Sequence, residues 1–135
     1  MSDSKPTESE LEILQILWKK SKATVREVHE VLLEKKQAGY TTTLKLMQIM
    51  LEKGLVKRDD SARTHIYTPN LNLQKTRQDL LKKLVEGIFN GSRSDLVLSV
   101  LGDHQSSADE LKQIREFLNK SEDLLNNKNF NQDSK

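Results

Sequence analysis

Between Tyr40 and Thr68 the hydrophobic period changes once, at Gly54, and that change limits what the chain can build. Before it, Leu44, Leu46, Met47, Met50 and Leu51 recur at the 3.6-residue spacing of a half-buried helix. After it, Leu55 and Val56 lead into Lys57-Arg58, an Asp59-Asp60-Ser61-Ala62 turn, and Arg63-Thr64-His65-Ile66-Tyr67, which read as two short strands flanking a tight turn. Gly54 is the stop between them, because glycine takes the left-handed conformation that other residues resist. The helix's other face carries Thr41, Lys45, Gln48 and Glu52, with Thr42 beside them and Ile49 on the boundary. Thr41, Thr42 and Thr43 place hydroxyls where the free N–H groups and positive dipole of a helix start attract phosphate. A helix with polar N-terminal residues, followed by a hairpin bearing Lys and Arg, has the layout of a winged helix: helix in the major groove, wing on the backbone. Thr41, Thr42, Lys45 and Gln48 are then expected to read bases, and Thr43, Lys53, Lys57, Arg58 and Arg63 to hold the DNA backbone.

Two capped helices precede this stretch. Thr7 and Glu10 form a capping box ahead of Leu11, Leu14, Ile16, Leu17 and Trp18; Thr24 and Glu27 form another ahead of Val25, Val28, Val31 and Leu32. A single tryptophan closing an apolar stripe is expected to pack in the core, and His29, with no second histidine nearby, to be a satisfied surface residue. Residues 35–39 read as a loop. The expected fold class is therefore mainly α: a winged helix-turn-helix of three helices plus a small β-hairpin wing, followed by an all-helical dimerisation region.

Pro69 closes the hairpin, and three more helices follow. The first runs from Leu73 to Phe89, and the second, Leu96–Leu101, is apolar nearly all round and so is expected to be buried. The third opens at a Ser107–Glu110 box with Leu111, Ile114, Leu118 and Leu125 near heptad spacing. This is more apolar surface than a small appendage buries against itself. Two copies together could bury it, with Leu80, Leu84, Ile88, Leu111, Ile114 and Leu118 as the interface; a monomer whose helices fold back on the winged helix is the competing arrangement. The expected divisions are a DNA-binding domain over 1–70, a helical dimerisation domain over 71–126 and a disordered tail over 127–135.

Composition narrows function mainly by exclusion. Net charge is only +2, but between residues 35 and 63 seven basic residues face three acidic ones, around the helix and hairpin. On charge alone an ordinary solvated surface fits as well. With no cysteine, thiol catalysis, disulfides and cysteine-based metal sites drop out together. No apolar run reaches the length of a membrane span, so no membrane insertion and a cytoplasmic location are expected. Asn90-Gly91-Ser92 matches a glycosylation acceptor, which without export is only a turn. Histidines lack visible partners, a phosphate-binding glycine loop is missing and acidic residues are scattered among lysines, so no catalytic role, cofactor or metal is expected. The alternative to DNA is a winged helix used for protein or RNA contacts. Short or flexible hydrogen-bonding side chains on the third helix favour base edges and phosphates over a protein face, which would show aromatics.

The residues resemble the penicillinase and methicillin-resistance repressors and their copper-responsive relatives, over Pro6 to Lys120. The likeness is carried by P-T-E-S-E-L-E-I-L-Q-I-L-W, by A-T-V-R-E-V at Ala23 to Val28, by G-Y-T-T-T-L-K-L-M-Q-I-M-L-E-K-G-L-V at Gly39 to Val56, and by R-T-H-I-Y-T-P at Arg63 to Pro69. The resemblance implies a winged-helix repressor that binds double-stranded DNA at a dyad operator as a homodimer through its C-terminal helices. Base-reading positions of that family fall on Thr41, Thr42, Lys45 and Gln48, and its wing contacts on Arg63 and His65. The family's cleaved Asn-Phe bond has no match at Leu98-Ser99-Val100-Leu101, and the paired Cys-x-Cys motifs of the copper branch are missing. An upstream sensor or protease, which the resemblance also brings in, is named by none of these residues. Leu44 stands where the antibiotic-responsive branch tends to place a basic residue, so a different operator is expected.

Overall fold

The computed structural model describes residues 5–103 and 105–133, with side chains placed from residue 5 to residue 129 outside position 104. Within them lie α1 (Glu8–Lys20), α2 (Val25–Leu33), α3 (Tyr40–Lys53), β1 (Val56–Asp59), β2 (Ile66–Pro69), α4 (Leu73–Ile88), α5 (Arg93–Leu101) and α6 (Ala108–Asp133). The chain divides into two compact units, Met1–Leu81 and Lys82–Lys135. None of the helices among the described residues is long and apolar enough to cross a membrane.

The first unit is a winged helix. Both capping boxes form: Thr7 and Thr24 each accept from the N–H of the glutamate three residues on, and Glu10 and Glu27 accept in return. Ile13, Leu14 and Leu17 of α1, Val25, Val28 and Leu32 of α2, and Met47 and Met50 of α3 meet with Leu55, Val56 and Tyr67 in one core. Ile13, which the apolar series of α1 left out, is fully buried, while Leu11, Ile16 and Trp18 are only half-buried around it. Trp18 is thus a rim residue rather than a core one, and its indole Nε1 donates to the Leu71 carbonyl at 2.9 Å. α3 ends at Gly54 with φ 80°, and Asn70 Nδ2 donates to the Gly54 carbonyl at 2.8 Å, so the strand's exit covers the helix's end.

β1 and β2 pair antiparallel with Arg58 opposite Tyr67 and Lys57 opposite Thr68. The connection is a loop over 60–65 rather than the tight turn expected, so Arg63 and His65 sit on the loop and not in a strand. Asp59 takes up the slack by accepting from the Ser61 N–H at 2.9 Å, an Asx-type turn. A bridge missed in the sequence ties the sheet to the helices: Ala23 N–H donates to the Tyr67 carbonyl at 3.0 Å and Tyr67 N–H to the Ala23 carbonyl at 2.8 Å. The wing is thereby hinged to the α1–α2 connection.

The first part of α4 belongs to this unit, with Leu73, Thr76, Arg77 and Leu80 lining a cleft with Leu11 and Trp18. The division between units therefore falls inside α4, beyond the boundary expected at residue 70. In the second unit, Asn90 and Gly91 take positive φ and the Gly91 N–H donates to the Val85 carbonyl, closing α4. Ser92 caps α5 and Ser107 caps α6, each accepting from the N–H three residues on. α6 continues to Asp133, through most of the segment expected as a tail, since no Gly or Pro interrupts it; residues 134–135 lie outside the described residues. α5 was expected to be buried and is not: Val97, Leu98 and Val100 are exposed in the single chain.

Candidate nucleic-acid interface

α3 carries the site because its two faces are committed differently. Thr43, Met47 and Met50 enter the core and Leu44, Leu46 and Leu51 are half-buried, which turns Thr41, Thr42, Lys45, Gln48, Ile49 and Glu52 to solvent. All four residues expected to read bases are exposed together on one side. The helix starts at Gly39 without any side-chain cap, and no acidic residue occupies its first turn, so the N–H groups there remain open to an anion.

Two residues expected on the DNA backbone are placed elsewhere. Thr43 is 1% exposed; its hydroxyl meets His29 Nδ1 at 3.0 Å and donates to the Gly39 carbonyl at 3.5 Å, so it ties α2 to the start of α3 and cannot reach a phosphate. His29, whose ring also meets Tyr40 edge-on at 5.5 Å, is half-buried and satisfied by Thr43, linking α2 to α3. Lys53 lies at the far end of α3, and its ammonium pairs with Glu10 at 2.6 Å. Glu10 is 2% exposed. Burial by itself pushes that carboxyl up, but the Lys53 ammonium and the Thr7 N–H and hydroxyl outweigh it and hold the pKa below the ordinary 4.5. Lys53 is thereby committed inside the protein.

On the wing, alternation separates neighbours in the sequence. Arg58 is on the face of Val56 and Tyr67; its Nε stands 2.6 Å from Asp60 Oδ1 without the alignment of a hydrogen bond, and its Nη2 donates to Asp60 Oδ2 at 3.3 Å. The Tyr67 side chain, and after it Asp60, push the pKa of the guanidinium above its ordinary value. Lys57 points to the other face and is exposed. His65 Nδ1 is 3.5 Å from the same Asp60 carboxylate. Arg63 makes no ion pair among the described residues.

Between α2, α3 and the wing lies an open depression of about 600 Å³ lined by Arg26, Tyr40, Gln48, Arg58, Arg63 and His65, among others. The structure thus brings Gln48, Arg58, Arg63 and His65 to one groove, with Thr41, Thr42 and Lys45 on the adjoining helix surface. Sequence reasoning missed Arg26 and Tyr40, which reach this groove from α2 and from the first residue of α3. The signal available in the sequence was Arg26 itself, a cation in a helix first turn where an acid is the stabilising choice. Groups of three or more His, Cys, Asp or Glu suited to a metal are not found among the described residues.

Residues 6–120 match a family described as penicillinase repressor. The penicillinase repressor of Bacillus licheniformis is 23% identical over 112 residues, covering 83% of this chain and 88% of the relative. The methicillin resistance regulatory protein MecI of Staphylococcus aureus (strain N315) is 23% identical over 112 residues, covering 83% of this chain and 91% of that protein. Among solved structures, the DNA binding domain of the repressor BlaI matches with 25% identity and a TM-score of 0.43, over 54% of this chain and 83% of that one. A mutant MarR from E. coli complexed with operator DNA matches with 17% identity and a TM-score of 0.48, over 85% and 74%.

Proposed function

The chain belongs to the penicillinase repressor family, and from that footing we propose that it is a sequence-specific, DNA-binding transcriptional repressor that acts in the cytoplasm as a homodimer on a dyad operator. The observation that carries the reading is the exposed face of α3, where Thr41, Thr42, Lys45 and Gln48 stand free beside a wing whose Lys57 and Arg63 have no ion-pair partner among the described residues. Lys45 donates to guanine O6 and N7, Gln48 pairs with adenine N6 and N7, and Thr42 meets a phosphate, a base edge or a thymine methyl. Lys57, Arg63 and His65 lie where a wing touches the sugar-phosphate chain and hold position without reading sequence. Homodimerisation is supported by the apolar surface of the second unit, on which Ile88 is 71% and Phe117 is 70% exposed in the single chain. Of the six residues expected at the interface, Ile88, Leu111 and Leu118 are exposed and Leu84 and Ile114 half-exposed in the second unit; Leu80 belongs to the first unit and borders the Trp18 cleft. Two copies put two α3 helices on half-sites about 10 base pairs apart.

The test selects bound duplexes from a random-sequence library and compares Gln48→Ala and Lys45→Ala on the selected sequence and on random DNA. Each substitution is expected to cost about 1 to 3 kcal/mol per half-site on the selected sequence and far less on random duplex. Equal losses on both would remove α3 as the specificity element. Displacement by single-stranded RNA at equal concentration would favour an RNA ligand instead.

A further inference from the structure

Arg26 occupies the second position of α2, two residues after the Thr24 cap, where open N–H groups and the helix dipole make a cation locally unfavourable. The acid of that turn, Glu27, is engaged in the capping box with Thr24, and the Arg26 side chain is exposed and makes no ion pair among the described residues. It lines the same groove as Gln48 of α3 and Arg63 of the wing loop. The third arginine of that groove, Arg58, is already neutralised by Asp60. Two guanidiniums without an ion pair among the described residues thus stand on different elements around one open depression, which a base-reading candidate, Gln48, also lines. A local rule broken without internal compensation marks a residue kept for an external partner, and a guanidinium fork matches the geometry of a phosphate oxygen pair.

We propose that Arg26 is a phosphate contact, and that the groove between α2, α3 and the wing seats one strand of the duplex backbone, with Arg26 on one side and Arg63 on the other. The inference rests on the DNA-binding reading above and adds to it the path of the strand. The helix before the recognition helix then anchors the complex, which fixes how deeply Gln48 enters the major groove.

The experiment measures affinity against salt for the full chain, on selected and on random duplex, for the wild type, Arg26→Gln and Arg26→Lys. Arg26→Gln is expected to weaken both duplexes by the same factor and to lower the slope of log affinity against log salt by about 0.9 per subunit, about 1.8 for the dimer. Between 50 and 200 mM salt the dimeric variant should therefore lose about twelvefold less affinity than the wild type. Arg26→Lys should keep the wild-type slope, which separates charge from any effect on folding. A wild-type slope in Arg26→Gln overturns the proposal. So does an equal slope loss in the Lys variant, or a loss confined to the selected duplex. In each of those cases Gln48→Ala still discriminates the two duplexes and the DNA-binding reading survives; a wild type that binds neither duplex overturns both.

Discussion

Lys45 and Lys53 share one helix and have opposite fates, because the helix is docked by one face and one end. Lys45 faces solvent; Lys53 is drawn to Glu10, a carboxylate from the first helix that is buried and must be paired. Lys53→Ala should lower the stability of the first unit by about 1 to 3 kcal/mol, the cost of leaving a buried polar group unsatisfied, while leaving the salt slope of DNA binding unchanged. Arg63→Ala should do the reverse, with unchanged melting and a slope lower by about 0.9 per subunit. Identical slope changes in both variants would return Lys53 to the DNA contact set. The same pair sets a pH dependence. Since the folded pKa of Glu10 lies below 4.5, its stabilising contribution is present above that value and is lost as pH falls through the lower folded value. Denaturant melts between pH 6 and the acid range should show a drop in the wild type that is smaller in Glu10→Gln.

The elements are held at their ends as much as by their faces. Gly54 has φ 80° and open space where a Cβ would point, so a substitution there meets no clash and pays only in backbone conformation. Gly54→Ala should therefore destabilise the first unit by about 1 to 2 kcal/mol, and Gly54→Asn by less, since asparagine tolerates the left-handed region. Equal melting of all three would show that α3 ends without this turn. The wing is not a free hairpin: the two hydrogen bonds between Ala23 and Tyr67 fix it to the start of α2, and Tyr67 is itself in the core. Thr24, Val25 and Arg26 follow Ala23 directly, and all three line the groove together with the wing. The groove's two walls are tied at one point by backbone.

At the level of the whole molecule, the first unit buries its apolar residues and the second leaves many of them outside. Leu98 is 65% exposed and Leu124 is 71% exposed, although both sit on well-formed helices. Full burial of such side chains is worth roughly 1.5 to 3 kcal/mol each, which a second copy would supply. Leu98→Glu in the full chain should shift sedimentation toward monomer at micromolar concentration and weaken the selected duplex more than random DNA; an unchanged dimer would move the interface off α5. The three helices of the winged helix, the capping boxes of α1 and α2, the stop at Gly54 and the exposed face of α3 were all legible in the residues, because caps, periodicity and left-handed turns are decided within a few neighbours. Four assignments were not: Thr43 to the core, Lys53 to Glu10, Arg58 to Asp60 and Tyr67, and Arg26 with Tyr40 to the groove. Periodicity divides a helix into an apolar and a polar face, but where a boundary residue goes depends on what lies opposite, and that partner comes from another element. Glu10 is 43 positions from Lys53 and His29 is 14 from Thr43. Such distances are crossed only when the core packs, so a polar residue's choice between solvent, ion pair and ligand was made by tertiary structure.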